Sequence, residues 1–224
     1  MSKSKWDRLA AASGIVFVGL YMVGFLLATH AIPGLSHPNH DWVVWVRNHP
    51  RQLKAAAILV GLSILAFVWF VGSIADVLRR ADEQRLAAVA TASGGASVAV
   101  ATVGIAIVAA LAQRLAIDAP NLTKSLWELA TVTLTVINFV GAALVYTTAA
   151  ATWRSGLFPR WYAWFGSLAA LVILVNGGAL AYKGFYAPNG GFGLIGTIVF
   201  LVWVLATSVL LMRTSGEKEA AAAT

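Results

Sequence analysis

Long runs of apolar residues, separated by short polar and basic stretches, dominate the pattern of this chain. A helix needs about 20 apolar residues to cross a bilayer, and six runs reach that length. They cover residues 9–30, 53–78, 86–113, 125–153, 161–183 and 192–212. Helix is the expected form, because an unpaired backbone amide in hydrocarbon costs several kcal/mol. The pattern therefore predicts an all-α, polytopic membrane bundle of six transmembrane helices.

The six runs form one predicted transmembrane domain over residues 1–213. Residues 214–224 are small and polar, and are predicted to be a disordered cytoplasmic tail. The connection between the first two runs is the only long one on its side of the membrane. Residues 41–48 within it predict a short helix lying in the membrane interface, with Asn39 or Asp41 as its cap.

Composition agrees with this class. Hydrophobic residues make up 59% of the 224 residues and charged residues 11%, against about a quarter charged in soluble domains. The absence of Cys excludes thiolate nucleophiles, iron–sulfur clusters and thiolate zinc sites. The net charge of +7 is distributed in small groups between the apolar runs. That distribution favours membrane headgroups as partners and gives no nucleic-acid footprint.

The basic residues also predict an orientation. Ten of the 16 Lys and Arg residues lie on the amino-terminal side of the predicted membrane and six on the other. The more positive side is usually cytoplasmic. We therefore expect a multi-pass protein of the cell (inner or plasma) membrane with both termini in the cytoplasm. Predicted aromatic belts are Trp6, Trp153, Trp161 and Trp164 on the cytoplasmic side and Trp42, Trp45 and Trp127 on the other.

The fourth run carries a polar stripe at membrane depth. Its members are Glu128, Thr131, Thr135 and Asn138. Their spacing places them on one helical face, and Asn176 in the fifth run is the natural partner. Such a stripe can line a ligand cavity or relay protons. The alternative is structural, because Ser125-x-x-Glu128 matches a capping box and Thr and Asn also bond between helices without a ligand.

A second candidate site lies in the long connection, which holds or borders all four histidines. His37-x-x-His40-Asp41 has a ligand spacing suited to zinc or copper. The alternative is that these are ordinary polar residues at a wet membrane interface. The motif has no closed set of ligands.

Two glycine patterns complete the motifs. The third run carries small residues at regular spacing, namely Ala90, Gly94, Ser97, Ala101 and Gly104. They predict close backbone approach and a position at the packed centre of the bundle, where Leu at Gly94 or Gly95 would overpack. The second pattern, Gly191-Phe-Gly193-Leu-Ile-Gly196, matches a dinucleotide fingerprint literally, but no strand precedes it.

Three stretches at helix boundaries form a further pattern. They are Trp6-Asp7-Arg8-Leu9, Phe67 to Arg80 with Arg85-Leu86, and Gly156-Leu-Phe-Pro-Arg-Trp161. Together they resemble an uncharacterised family of small actinobacterial integral membrane proteins, and the likeness covers most of the chain. It implies the six-helix fold and no activity, because that family has no established function. The histidine-rich connection is not part of the family's pattern.

Three functions stay open on the sequence. The first is a non-enzymatic membrane protein, either an accessory subunit or a bundle that binds a lipid or other lipophile. It is favoured because the runs hold no cluster of titratable groups. The second is a membrane enzyme acting on an apolar, isoprenoid- or lipid-like substrate with Glu128 as acid or base, and the third is a small oligomeric transporter. Expected partners are membrane lipids, other membrane subunits or a second copy, with no cofactor and no nucleic acid.

Overall fold

The computed structural model describes residues 3–181, 183–188 and 190–222, and their side chains except at 3–9, 11 and 215–222. The described part of the chain is helical and contains no strand, which confirms the all-α class. Its elements are α1 (Lys3–Thr29), α2 (Asn39–Asn48), α3 (Pro50–Arg80), α4 (Gln84–Ala110), a π turn (Leu111–Leu115), α5 (Ala116–Asp118), a 3₁₀ turn (Pro120–Leu122), α6 (Thr123–Ser155), α7 (Arg160–Asn176) and α8 (Gly191–Ala222).

Six long helices pack side by side in a closed ring. The order around the ring is α1, α3, α4, α6, α7 and α8, and α8 returns to α1. Consecutive long helices run antiparallel, so one end of the ring holds α2, and we call it the α2 end and its opposite the far end. The outer faces carry large apolar side chains, among them Leu65, Leu168 and Ile198, each more than half exposed. Such faces suit a lipid solvent.

Polar contacts join neighbouring helices at both ends of the ring. At the far end, Arg154 Nε donates to Glu83 Oε1 over 2.9 Å and so joins α6 to the start of α4. At the α2 end, Gln52 Nε2 donates to the Leu27 carbonyl over 2.5 Å and joins α3 to α1. The chain order and these bonds together fix which helix ends meet.

In the described part of the chain, five helical stretches are long and apolar enough to cross a membrane. They are Ala12–Thr29, Pro50–Arg80, Gln84–Asp118, Pro120–Ser155 and Gly191–Thr214. The predicted fifth run is shorter than expected, because α7 has 17 residues and ends at Asn176 rather than at residue 183. At 1.5 Å per residue it is about 25 Å long. Gly177 follows it, where a Cβ would lie 3.0 Å from the Phe139 ring, so the chain leaves the helix in close contact with α6.

The buried residues form two separate cores. The main core extends from the middle of the ring to the far end and includes Phe70, Leu144, Tyr162 and Trp203. The second, which we call the cap core, lies at the α2 end. It comprises Trp42, Trp45, Val46, Leu53, Leu111, Ala112, Ala116 and Trp127. Because α2 supplies three of these residues, it closes part of that end.

The cap core corrects the predicted interface at the α2 end. Trp42, Trp45 and Trp127 are buried against one another, and do not form an exposed belt. The short helix exists near its predicted place, but α2 buries one face in the protein. At the far end, Trp153, Trp161 and Trp164 are exposed, as a belt requires. The side chain of Trp6 lies outside the described residues.

Two further predictions differ from the structure. α8 continues to Ala222 through residues for which a disordered tail is predicted, and the Ala, Glu and Lys residues there are good helix formers. α4 lies in the ring between α3 and α6, not at its centre. Its small residues do allow close approach, since a Cβ on Gly104 would lie 2.8 Å from Leu134 Cγ on α6.

The small-residue face of α4 yields a matched pair of substitutions. A Cβ on Gly94 would collide with the Val71 side chain of α3, whereas a Cβ on Gly95 would meet nothing within 4 Å. We expect Gly94→Leu to destabilise the bundle by about 1–3 kcal/mol through overpacking, and Gly95→Leu to remain close to wild type. Reversible unfolding in mixed micelles measures both. Equal stability of the two variants would contradict this arrangement of α3 and α4.

Candidate functional site

A cavity of about 190 Å³ lies inside the ring, between the main core and the cap core. Its wall is built from α1, α3, α4, α6 and α8. Phe17 and Phe67 in the wall belong to the main core, and Val108 in the wall packs against the cap core. An engineered cavity of about 150 Å³ in another protein binds benzene. The space is therefore sufficient for one ring-sized ligand or a short piece of a chain.

The wall of the cavity is almost entirely apolar. Its aromatic members are Phe17, Tyr21, Phe25, Phe67 and Phe200, and most of the others are aliphatic. Phe17 and Phe67 have ring centroids 4.9 Å apart. Apolar cavities stay dry and accept apolar ligands. The chemistry of the wall therefore selects for a lipophile.

Three Ser and Thr side chains interrupt the apolar wall. Ser63 Oγ donates to the Val60 carbonyl over 2.7 Å, and Thr197 Oγ1 donates to the Gly193 carbonyl over 3.1 Å. Both hydroxyl protons are thus used within their own helices. Ser97 differs, because its buried oxygen has no hydrogen-bond partner among the described residues.

The predicted polar stripe of α6 does not line this cavity. α6 contributes Leu134, Ile137 and Gly141 to the wall. Asn138 follows Ile137, and one residue rotates the helical face by about 100°, which turns the stripe toward α7. Thr131, Thr135, Asn138 and Asn176 do not line this cavity, and their binding of a ligand stays a prediction.

Local hydrogen bonds account for the two threonines of the stripe. Thr131 Oγ1 donates to the Trp127 carbonyl and Thr135 Oγ1 to the Thr131 carbonyl, each over 2.9 Å. Back-bonding of this kind satisfies a hydroxyl inside its own helix. Both threonines then have a structural explanation.

The two asparagines pair as the sequence predicts. Asn138 Nδ2 donates to Asn176 Oδ1 over 2.8 Å, which confirms that α6 and α7 are neighbours. Asn176 Nδ2 donates in turn to the Phe192 carbonyl over 2.6 Å. Asn176 is 2% exposed and is the last residue of α7, so one side chain connects α6, the end of α7 and the start of α8.

The same contacts explain the glycine pattern at the start of α8. A Cβ on Gly193 would collide with the Pro188 carbonyl, and a Cβ on Gly196 would collide with the Asn176 side chain. These glycines therefore allow α8 to approach the loop and the end of α7. The resemblance to a dinucleotide fingerprint has a packing origin.

The predicted capping box at Glu128 is wrong. α6 begins at Thr123, so Ser125 lies inside the first turn. The cap of α6 comes from α2. Asn39 Oδ1 accepts a hydrogen bond from the Lys124 backbone N–H over 3.0 Å. Asn39 Nδ2 also donates to the Pro120 carbonyl over 2.8 Å. Asn39 thus caps α6. The residue that caps α2 is Pro38, and neither Asn39 nor Asp41 serves there.

Glu128 lies at the α2 end, one helical turn from the start of α6. Its Oε1 is 3.8 Å from Lys124 Nζ, and Lys124 Nζ also donates to the His37 carbonyl over 3.0 Å. Glu128 is not in the wall of the cavity. The acid or base predicted from the sequence therefore does not line this space.

The histidine motif is brought together only in part. His37 Nδ1 and Asp41 Oδ2 are 3.0 Å apart, whereas His40 is exposed and does not join them. His49 Nδ1 donates to the Trp45 carbonyl over 2.8 Å. Within the described ranges, no three His, Asp or Glu side chains are grouped to hold a metal ion. The ligand set His37, His40 and Asp41 is therefore not formed.

The cavity is not predicted by the sequence patterns above, although two signals in the sequence point toward it. Phe17, Tyr21 and Phe25 lie four residues apart on α1, and Ser97 and Ala101 lie four apart on α4. Each set shares one helical face. The small residues predicted close packing, but large aromatic rings opposite small residues can equally leave a space.

Comparison with family models, curated proteins and solved structures finds no match. The likeness to the actinobacterial family therefore stays a prediction. The function has to be argued from the geometry of this chain.

The amide pair allows a direct test of its structural role. Replacing Asn138 with Leu removes the bond to Asn176, and we expect a loss of about 0.6–2 kcal/mol, the range of interhelical hydrogen bonds in membranes. Unfolding in mixed micelles measures the loss. Thr102→Leu on the exposed face of α4 is the control and should cost little. An Asn138→Leu variant as stable as wild type would show that the pair contributes nothing.

Proposed function

We propose that this chain is a multi-pass membrane protein whose helix ring binds a small lipophile without catalysing a reaction on it. The observation that carries the proposal is the apolar cavity of about 190 Å³ between the two cores. Five of the six ring helices contribute to its wall. Binding would place an apolar ligand inside the protein at membrane depth.

The cost of an empty cavity supports this proposal. Unfilled space costs roughly 24 cal/mol per Å³ in enclosed cores where it has been measured, and this space is partly open, so only part of that cost applies. A bundle that keeps such a space loses packing contacts that larger side chains on α4 would supply. A ligand that fills the space restores those contacts.

The character of the wall favours binding over acid–base chemistry. Tyr21 is the only titratable residue in the wall, which contains no carboxylate, imidazole or amine. General acid or base catalysis uses His most often and otherwise Asp, Glu, Lys, Tyr or Cys within hydrogen-bond reach of the substrate, so Tyr21 is the one such side chain in the wall. Glu128 is paired with Lys124 outside the cavity. No observation favours the transporter hypothesis over simple binding.

We further propose that α7 is the sixth span and that the far end faces the cytoplasm. Support comes from the position of α7 between α6 and α8 in the ring. The exposed Trp161 and Trp164 at the start of α7 match a membrane interface. Arg79 and Arg154 add positive charge at that end.

The absence of native Cys makes this topology testable with single cysteines. Ser36→Cys and Tyr186→Cys should react in intact cells with a membrane-impermeant maleimide. Ser155→Cys should react only after permeabilisation. Labelling of Tyr186→Cys and Ser155→Cys from the same side would show that α7 does not cross the membrane.

Lipophile binding is testable with a photoreactive phenyl diazirine in membranes containing the purified protein. Mass spectrometry should find carbene adducts on wall residues such as Ala101 and Phe200, besides adducts on lipid-facing residues such as Ile198. Ala101→Leu fills the cavity and should abolish the wall adducts. Ala99→Leu, on the exposed face of the same helix, should keep them. Adducts confined to lipid-facing residues in the wild-type protein would refute the binding function.

A further inference from the structure

We propose that the ligand of this cavity is a ring-shaped lipophile that carries a hydrogen-bonding oxygen, as phenol, quinol and quinone rings do, and that Ser97 binds this oxygen. The inference rests on the proposed binding function and narrows it to one ligand class. It depends on two features of the wall, the unpartnered hydroxyl and the aromatic side chains.

Ser97 is the Ser or Thr side chain of the wall whose hydroxyl the fold itself does not use. Its residue is 6% exposed, it lines the cavity, and its oxygen has no partner among the described residues. A buried hydroxyl without a partner is unfavourable, and such groups in proteins usually bind something. In this rotamer the oxygen is covered, and a rotation about its single χ1 bond is what would turn the hydroxyl into the cavity.

The other Ser and Thr hydroxyls of the wall define the contrast, and Tyr21 carries a fourth hydroxyl on α1. Ser63 and Thr197 donate to carbonyls of their own helices, as Ser and Thr commonly do within helices. Their protons are therefore not available to a ligand. Among the Ser and Thr side chains of the wall, Ser97 on α4 is then the one whose hydroxyl is free to donate to a ligand oxygen.

The aromatic side chains favour a ring over a flexible chain. Phe17, Phe67 and Phe200 contact one another, with centroids 4.9 to 6.3 Å apart and one pair edge to face. Tyr21 and Phe25 stack farther along α1. Aromatic rings prefer offset or edge-to-face partners, which a planar ring provides. A saturated acyl chain gains nothing comparable and has no oxygen at this depth.

The test is competition against the photoreactive phenyl diazirine with two probes of matched shape, p-cresol and p-xylene. They differ by one hydroxyl in place of one methyl group. Each probe is compared between the wild-type protein and Ser97→Ala. Because the probe partitions into lipid equally in both samples, a difference in competition reports a difference in binding to the protein. We expect Ser97→Ala to weaken competition by p-cresol about tenfold, as loss of one hydrogen bond predicts, and to leave competition by p-xylene unchanged.

Ser63→Ala is the matched control, because it removes a hydroxyl from the same wall whose proton is already used. It should leave both competitions at the wild-type level. Ser97→Cys keeps the volume and weakens the donor. It should show the same selective loss, and it replaces Ser97→Ala if that variant fails to fold.

The outcomes separate the two proposals. Wall adducts with equal p-cresol competition in wild type, Ser97→Ala and Ser97→Cys would overturn the role of Ser97 and leave lipophile binding intact. Equal losses for p-cresol and p-xylene would show that Ser97 acts through packing only, and would also overturn the inference. An absence of wall adducts in the wild-type protein would refute both the binding function and this inference.

Discussion

Every backbone group inside a bilayer needs a partner within the protein, and where the helical ladder of α7 stops, the backbone N–H groups of Gly177, Gly178 and Ala179 supply it. Asn176 joins this end of α7 to the neighbouring helices. Its side chain accepts from Asn138 on α6 and donates to the Phe192 carbonyl at the start of α8. The contact between α7 and α8 is the smallest in the ring. The ring therefore closes at a junction that depends on hydrogen bonds more than on packed area.

The cavity follows from that closure. Gly196 packs directly on Asn176, and the next residues along α8 that face inward, Thr197 and Phe200, form part of the wall. At the α2 end, Asn39 fixes the start of α6, while the tryptophans of the cap core hold α2 against α6. The space between the cores persists because both of its ends are fixed independently of whatever fills it.

Apolar length and the cost of unpaired amides are readable from a sequence, so the helical class and the Asn138–Asn176 pair could be predicted. Which apolar face meets protein and which meets lipid is a different question. In a soluble protein, the buried face of a helix is apolar and the solvent-facing one is polar. In a membrane this difference is lost, because lipid tails are as apolar as Leu. Trp42 and Trp127 were therefore assigned to an interface although they are buried. The cap of α6 depends on Asn39, a residue distant in sequence, which no local pattern contains. The end of α7 at Asn176 has a local signal in Gly177-Gly178, which the apolar residues that follow obscure.

Because apolar side chains face both lipid and protein, the polar atoms within the membrane-spanning helices are the informative ones. Thr131, Thr135 and Asn138 attract attention in the sequence, yet each bonds within its own helix or to a neighbour. The hydrogen bonds of these three side chains are therefore made within the protein. Ser97 looks like one more small residue on a packing face, and its hydroxyl is left without a partner in the wall of the cavity. A polar group that is hydrogen-bonded within the protein has a structural role. A polar group that lies unpaired in the wall of a cavity indicates a ligand as its partner.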